Sequence, residues 1–360
     1  MLKKIDIYII KKFLGTFFFT LLLVICVVIV FDLSEKLEDF ISHKAPVKAI
    51  AFDYYLNFVP YFANMFSPLF IFIAVIFFTS KMASNSEIVA ILASGISFNR
   101  MLRSYLIAAL VLASLSYYLN NFLIPDANKN RLEFEELYYR NKMKNYSQDI
   151  HMKINDNTYI YMTNFVVSLN LGNNFSIERF NEEGELEYKL LSDNVKWDTT
   201  LNMWSITNYV ERHIDGLNEV INKGARKDTI LDLKPEEFKR RNNYITTMNF
   251  FELNDYIEEQ KFKGSKRVID SQLEKQQRAA YPFATFVLTL IGVSISSRKV
   301  RGGIGLHIGL GLLISFSYIL FMQISSTFAL NSGVPVIIAV WIPNVLYSLL
   351  ALYLLKKAPK

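Results

Sequence analysis

The chain has 360 residues, is 52% hydrophobic and carries a formal charge of +6 at pH 7, but these values average two unlike parts. Residues 126 to 278 hold 23 basic and 26 acidic side chains, whereas four charge-free runs of 19 to 27 residues and a fifth of 54 residues lie outside that segment. A single soluble globular domain is excluded, because about 20 apolar residues suffice to cross a ~30 Å hydrocarbon core.

The first run, Phe13 to Phe31, predicts a retained helix rather than a cleaved signal peptide. It is too long for the latter, and Phe31-Asp32-Leu33-Ser34-Glu35 follows it in place of a small-residue cleavage site. Cys26 is the one cysteine and lies inside this run, so disulfides cannot stabilise any part of the chain. Lys36, Lys44 and Lys48 follow in a short loop, where they either meet lipid phosphates or are simply solvated.

The second run, Tyr54 to Ser80, contains Pro60 and Pro68, which predict kinks, and the polar Asn57 and Asn64. With Pro343 and Asn344 in the last run, these residues suit a moving or substrate-lining bundle. Residues 84–95 then read as a short helix, with Ser84 as a capping residue, Glu87 in the first turn and Gly95 as the stop. Its apolar stripe of Ile88, Val89, Ile91 and Leu92 fits either a docking surface for a partner or packing against the membrane domain's own underside. The third run is Ser104 to Pro125.

A charged, helix-prone bridge from Asp126 to about Tyr146 leads into alternating strand patterns. Thr158–Met162, Phe175–Phe180, Leu186–Leu190, Asn194–Trp197 and Trp204–Val210 read as strands, with Asn155-Asp156-Asn157, Gly172-Asn173-Asn174, Glu183-Gly184, Thr199–Asn202 and Asp215-Gly216 as turns. The expectation is a small all-β domain of sandwich, barrel or jellyroll type. Helical patterns resume from Pro235 and feed the fourth run, Ala279 to Ser297.

The 54-residue run is too long for one helix and divides at Leu330-Asn331-Ser332-Gly333-Val334-Pro335, giving spans of roughly Gly303 to Phe328 and Pro335 to Leu355. Gly305 and Gly309 suit close helix packing rather than phosphate binding, since no Gly-Lys-Ser/Thr follows. Ser315, Ser317, Tyr318, Gln323, Ser325, Ser326 and Thr327 give this span a hydroxyl-rich path, which either lines a cavity or makes interhelical hydrogen bonds.

The plan is therefore a polytopic α-helical membrane protein: residues 1–125 with three spans, 126–278 as an inserted β domain with helical connectors, and 279–360 with three more spans. Outside the insert and the segment 32–53, 13 basic residues face only Asp6 and Glu87. Lys and Arg in short loops mark the cytoplasmic side, so both termini and the loops 81–103 and 298–301 are expected there, with the insert outside. His43, His151, His213 and His307 lack metal-ligand spacing, and no Ser or Cys sits in a nucleophile motif. No enzymatic activity, metal or cofactor is implied.

These residues resemble the LptF/LptG (YjgP/YjgQ) family of lipopolysaccharide-export permeases over nearly the whole chain. The supporting pieces are Phe31-Asp32-Leu33, Ser86-Glu87-Ile88 through Ala93-Ser94-Gly95, Pro235, Met248, Phe251-Glu252-Leu253 with Tyr256-Ile257, Gly264, Arg278 with Pro282, Arg298 to Gly302, and Trp341-Ile342-Pro343-Asn344. The Asp32 region is closer to the G-type subunit. The resemblance implies a periplasmic β-jellyroll and an inner-membrane location in a Gram-negative cell. It also implies a heterodimer with a paralogous permease, a cytoplasmic ABC ATPase dimer that hydrolyses ATP, a single-span jellyroll partner, and lipopolysaccharide as substrate, with no nucleic acid. It assigns Glu87, Ile88, Ile91 and Leu92 to ATPase coupling, and Lys36, Ser315, Tyr318 and Ser326 to lipid contact. The competing readings are an ABC permease for another lipid or lipoprotein and a non-transporting scaffold.

Overall fold

The computed structural model describes residues 3–138, 146–239, 242–265, 267–298 and 303–358. Arg140, Lys299, Arg301, Gly302 and Lys360 lie outside the described residues. The chain divides into a helical unit (Met1–Tyr139, Thr246–Phe250 and Gln272–Lys360) and a sheet unit (Arg140–Ile245 and Phe251–Ser271).

In the helical unit α1 (Lys4–Ser42) runs unbroken well beyond its charge-free stretch. A short turn, α2 (Val47–Ala49), and a π-helical segment (Ile50–Tyr55) lead into α3 (Leu56–Met65) and α4 (Ser67–Ser84). The second span is thus two helices rather than one kinked helix. The break falls at Phe66, and Pro68 occupies the first turn of α4, where its missing N–H costs nothing. Next come α5 (Glu87–Ala93) and α6 (Phe98–Tyr118), then a π-helical stretch (Leu119–Leu123) that continues directly into α7 (Ile124–Tyr138).

The sheet unit contains β1 (Tyr146–Asn155), β2 (Thr158–Val166), β3 (Leu171–Phe180), β4 (Leu186–Asp198), β5 (Met203–Asp215) and β6 (Asn218–Thr229), followed by α8 (Pro235–Lys239) and α9 (Phe250–Phe262). The strands form one antiparallel sheet in sequential order, so β1 and β6 are its edges. Four readings of the sequence change, the first two being that Tyr146–Asn155 and Asn218–Thr229 form strands where the sequence pattern predicts none. Leu186–Leu190 and Asn194–Trp197 belong to one strand, because the polar stretch between them still pairs, Leu191 with Ser176 and Ser192 with Phe175. Gly172-Asn173-Asn174 lies inside β3 rather than in a turn. Its turn-like composition serves the left-handed backbone of Asn174, φ 51°, within the strand. The buried face gathers Ile160, Met162, Phe165, Phe175, Leu190, Val195, Trp204 and Ile206 with Leu233 and Phe238. Trp204 Nε1 donates to the Leu233 carbonyl at 2.8 Å, so its one polar group is satisfied inside that core.

Three long helices complete the helical unit: α10 (Arg267–Ser296), α11 (Gly303–Asn331) and α12 (Val336–Lys357). Among the described residues six helices are long and apolar enough to cross a membrane. α4 is apolar all round and buried, as a helix at the centre of a bundle must be. Phe70, Ile71, Ala74, Val75 and Phe78 face a cluster with α1 and α6, while Phe72 and Ile76 join α10, α11 and α12.

The glycines of α11 pack otherwise than their spacing predicts. Gly305 and Gly309 have open space where a side chain would begin, whereas at Gly311 a Cβ would run into Ile76 and Phe72 of α4. Rotation of α11 about its axis decides which glycine meets a neighbour, and the i, i+4 spacing alone does not reveal it.

Candidate functional site

α5 is held from below and open above. It is shorter than the expected 84–95 helix, because Ser84 ends α4 and Ser86 takes the cap position with φ 61° and no side-chain capping bond. Gly95, at φ 84°, provides the expected stop. Ile88 is fully buried in the cluster with Ile9, Phe13 and Met101, and Ile91 and Leu92 pack against it. Glu87 is bonded within the chain: Tyr8 Oη donates to its Oε2 at 2.9 Å and Asn85 Nδ2 to its Oε1 at 3.2 Å. The expected stripe therefore splits. Three of its members pack on the bundle, leaving Val89, 61% exposed, with Ala90 and Ala93 outward.

Beside α5 lies a constellation the sequence reading passed over. The carboxylate of Asp6 is fully buried. It accepts from Arg100 Nη1 at 2.7 Å and Nη2 at 2.6 Å, from Ser104 Oγ at 2.6 Å and from the Lys3 amide at 2.7 Å. Four donors satisfy a charge that would otherwise be costly away from water. One signal was available: Asp6 is one of two acids in segments otherwise populated by cations.

At the other end of α1, Lys36 Nζ donates to Asp32 Oδ1 at 2.6 Å and also bonds the Tyr54 hydroxyl. Tyr55 Oη donates to Asp32 Oδ2 at 3.2 Å. The ammonium stands 4.8 Å from the Tyr54 ring centroid, within cation–π range. Phe40, Phe58 and Phe134 complete the aromatic packing around Tyr54. Lys36 is thus built into a cluster rather than projecting alone from a loop.

The α11 residues turn inward. Tyr318 Oη donates to Asn344 Oδ1 at 3.0 Å, and Asn344 Nδ2 donates to the Ala280 carbonyl at 3.2 Å. Ser326 accepts from Gln277 Nε2 at 2.9 Å and donates to the Met322 carbonyl at 2.8 Å. Ser315 is 1% exposed. Of the two readings offered for this path, interhelical hydrogen bonding describes Tyr318 and Ser326 in this arrangement. The face of α11 that remains open carries Leu306, Leu310, Leu313, Phe316, Leu320 and Ile324.

Asn64, at the α3–α4 break, is tied to α6 and the π-helical stretch that follows it. Its Nδ2 donates to Asn120 Oδ1 and its Oδ1 accepts from Ser116, both at 2.7 Å. It borders a polar cavity of ≈ 150 Å³ whose walls include Asn128, Glu274 and Arg278. Arg278 is buried, with Nε donating to Glu274 and Nη1 to the Met248 carbonyl, each at 2.8 Å.

In the sheet unit, Glu211 on β5 accepts from Lys227 at 2.6 Å and from Tyr188 at 3.2 Å. The Lys227 ammonium holds the Glu211 carboxyl below the usual carboxylate range, and the carboxylate in turn raises Lys227.

Six apolar helices among the described residues, with an antiparallel sheet unit inserted between the third and fourth, define a multi-pass α-helical membrane protein carrying a β domain. The sequence profile of the lipopolysaccharide export system permease LptF/LptG family matches residues 7–357, and the chain belongs to that family. Two relatives, each named lipopolysaccharide export system permease protein LptG, come from Escherichia coli strain K12 and Escherichia coli O6:H1 strain CFT073. Both are 21% identical over 307 residues, covering 84% of this chain and 84% of their own. The family expected from the sequence is the family found.

Proposed function

We propose that this chain is a transmembrane subunit of an ATP-driven complex that extracts lipopolysaccharide from the outer leaflet of the inner membrane and passes it to a periplasmic jellyroll bridge. Its partners in this reading are a paralogous permease subunit, a cytoplasmic ABC ATPase dimer and a single-span protein whose jellyroll continues the bridge. Both termini and α5 face the cytoplasm and the sheet unit lies in the periplasm. The basic residues Lys3, Lys4, Lys11, Lys12, Lys81, Arg100 and Arg103 support that orientation.

The observation that carries the reading is the division of labour on α5. Ile88, Ile91 and Leu92 anchor it to the bundle. Val89, Ala90 and Ala93 are left outward beside Glu87, a small apolar surface with one acid at its start. A helix seated firmly below and bare above suits transmission of a push from a cytoplasmic partner. Shielding is the other requirement, since each exposed CH2 of an acyl chain costs about 0.8 kcal/mol in water. Lipid contact at Lys36, Ser315, Tyr318 and Ser326 belongs to a state in which α1 or α11 has moved. In the arrangement described, these side chains are engaged or buried within the bundle.

The test is co-purification of the ATPase with full-length variants in detergent. Val89→Asp and Glu87→Ala are expected to lose the ATPase while remaining folded. Retention of the ATPase by both variants would remove α5 as the docking helix. Ile88→Asp is unsuitable, because it would place a charge in the bundle core.

A further inference from the structure

α1 is a single helix of 39 residues without proline, about 58 Å long at 1.5 Å per residue. Its buried side chains are concentrated at its ends: Asp6, Ile9, Phe13 and Phe17 near the start and Phe40 near the finish. Between them Phe19, Leu22, Val30 and Phe31 are exposed. Such a helix is fastened most firmly at its two ends, and between them it rests on the bundle along one side only, through Leu21, Val24 and Val28.

The fastening at the start joins three helices. Asp6 binds Arg100 and Ser104 of α6 through both carboxylate oxygens. Two residues on, Tyr8 donates to Glu87 of α5. Ile9 and Phe13 share one buried cluster with Ile88 of α5 and with Met101 and Tyr105 of α6. The remaining space where these helices meet is a cavity of only ≈ 20 Å³, bordered by Asp6, Ile9, Ile91 and Arg100. A buried carboxylate with four donors in place resists sliding of α1 past α6, because the movement would leave a buried charge without its partners. At the far end, the Asp32–Lys36–Tyr54–Tyr55 cluster ties α1 to the π-helical segment.

We propose that Asp6 is a positioning residue that locks the start of α1 to the α5–α6 block, so that displacement of α5 is carried along α1 as along a lever to the Asp32–Lys36 cluster. The proposal rests on α5 being the ATPase-docking helix. The continuous hydrogen-bond ladder of α1 supplies the stiffness, and the contact of its middle along one side, with Phe19, Leu22, Val30 and Phe31 exposed on the other, leaves it room to swing.

The experiment uses the full complex, with its ATPase and second permease subunit, reconstituted in nanodiscs with lipopolysaccharide. Cys26 is replaced by Ser, and spin labels are placed at Val27 on α1 and Leu352 on α12, both exposed. The unmodified joint is expected to give a nucleotide-dependent change in label separation. In Asp6→Asn that change should vanish and lipopolysaccharide release should fall about tenfold, with ATPase binding and hydrolysis retained within about twofold. Ser104→Ala and Arg100→Lys weaken the joint less and should show partial losses in both readouts. They carry the test if Asp6→Asn does not fold. The proposal is overturned if all folded variants keep the full label shift and release, or if the labels do not move in the unmodified joint. Failure of the ATPase to associate with the unmodified chain would instead remove the docking reading, and the lever with it.

Discussion

The guanidinium of Arg100 donates two hydrogen bonds into the buried carboxylate of Asp6, at 2.7 and 2.6 Å, bridging 94 residues of sequence. The fork geometry matches both carboxylate oxygens at once, which a lysine ammonium could not do. Through this pair the first residues of α1 become part of the α5–α6 block.

Ser104 is the third side of that site, fully buried with its hydroxyl donating to Asp6 at 2.6 Å. Its replacement by Ala removes a hydrogen bond to a charged group and leaves the carboxylate under-satisfied. We expect a loss of about 1.5–3 kcal/mol, read as a lower unfolding temperature of the subunit in detergent. An unchanged unfolding temperature would show that the Arg100 fork alone satisfies the site.

The α11–α4 contact makes a second prediction. Gly311→Val should overpack Ile76 and Phe72 and destabilise the subunit by about 1–3 kcal/mol. Gly305→Ala and Gly309→Ala meet open space, so each should stay within about 0.5 kcal/mol in the isolated subunit. Equal effects at all three positions would mean that α11 is rotated from the orientation described.

In the sheet unit, Trp204 is fully buried and bonded to the Leu233 carbonyl. Trp204→Ala should cost about 3–5 kcal/mol. The cost should appear as faster proteolysis within residues 146–239 of the full-length protein. Resistance equal to that of the unmodified chain would place the core elsewhere.

The Glu211–Lys227 pair sets a pH dependence. Glu211 has its pKa lowered in the folded state, chiefly by the Lys227 hydrogen bond, from an ordinary value of 4.5. Its contribution is therefore fully present above pH 4.5 and is lost as pH falls through the depressed folded-state pKa. Lys227 is raised above 10.5, so its contribution persists below that pH and disappears on alkaline titration. Glu211→Gln should flatten the acid limb of a stability–pH curve monitored by tryptophan fluorescence. An acid limb identical to that of the unmodified protein would exclude this pair as its source.

Where the sequence was informative, the physics was local. A charge-free run must be helical in a bilayer, because no water is available to the backbone, and so Phe13–Phe31 and the divided 54-residue run could be read directly. The Thr199–Asn202 and Asp215-Gly216 turns likewise delimited β5 from composition alone. Position within the bundle was not legible in this way. α4 is apolar around its whole circumference, so its sequence carries no periodic signal for which side faces α11. Gly311 rather than Gly305 meets α4 for that reason, and Ser80 finds His307 at 2.8 Å across 227 residues of sequence.

By itself the sequence determined the spans, the inserted β domain, the short helix after the second span and the family. Each follows from desolvation, turn chemistry or motif order acting over a few tens of residues. Only the tertiary structure decided that Ile88 anchors α5 while Val89 is left outward, that Ser315, Tyr318 and Ser326 turn into the bundle, and that Asp6 is a buried, saturated carboxylate. Those outcomes depend on helix rotation and on pairing between distant polar groups, which are settled by packing all the helices together.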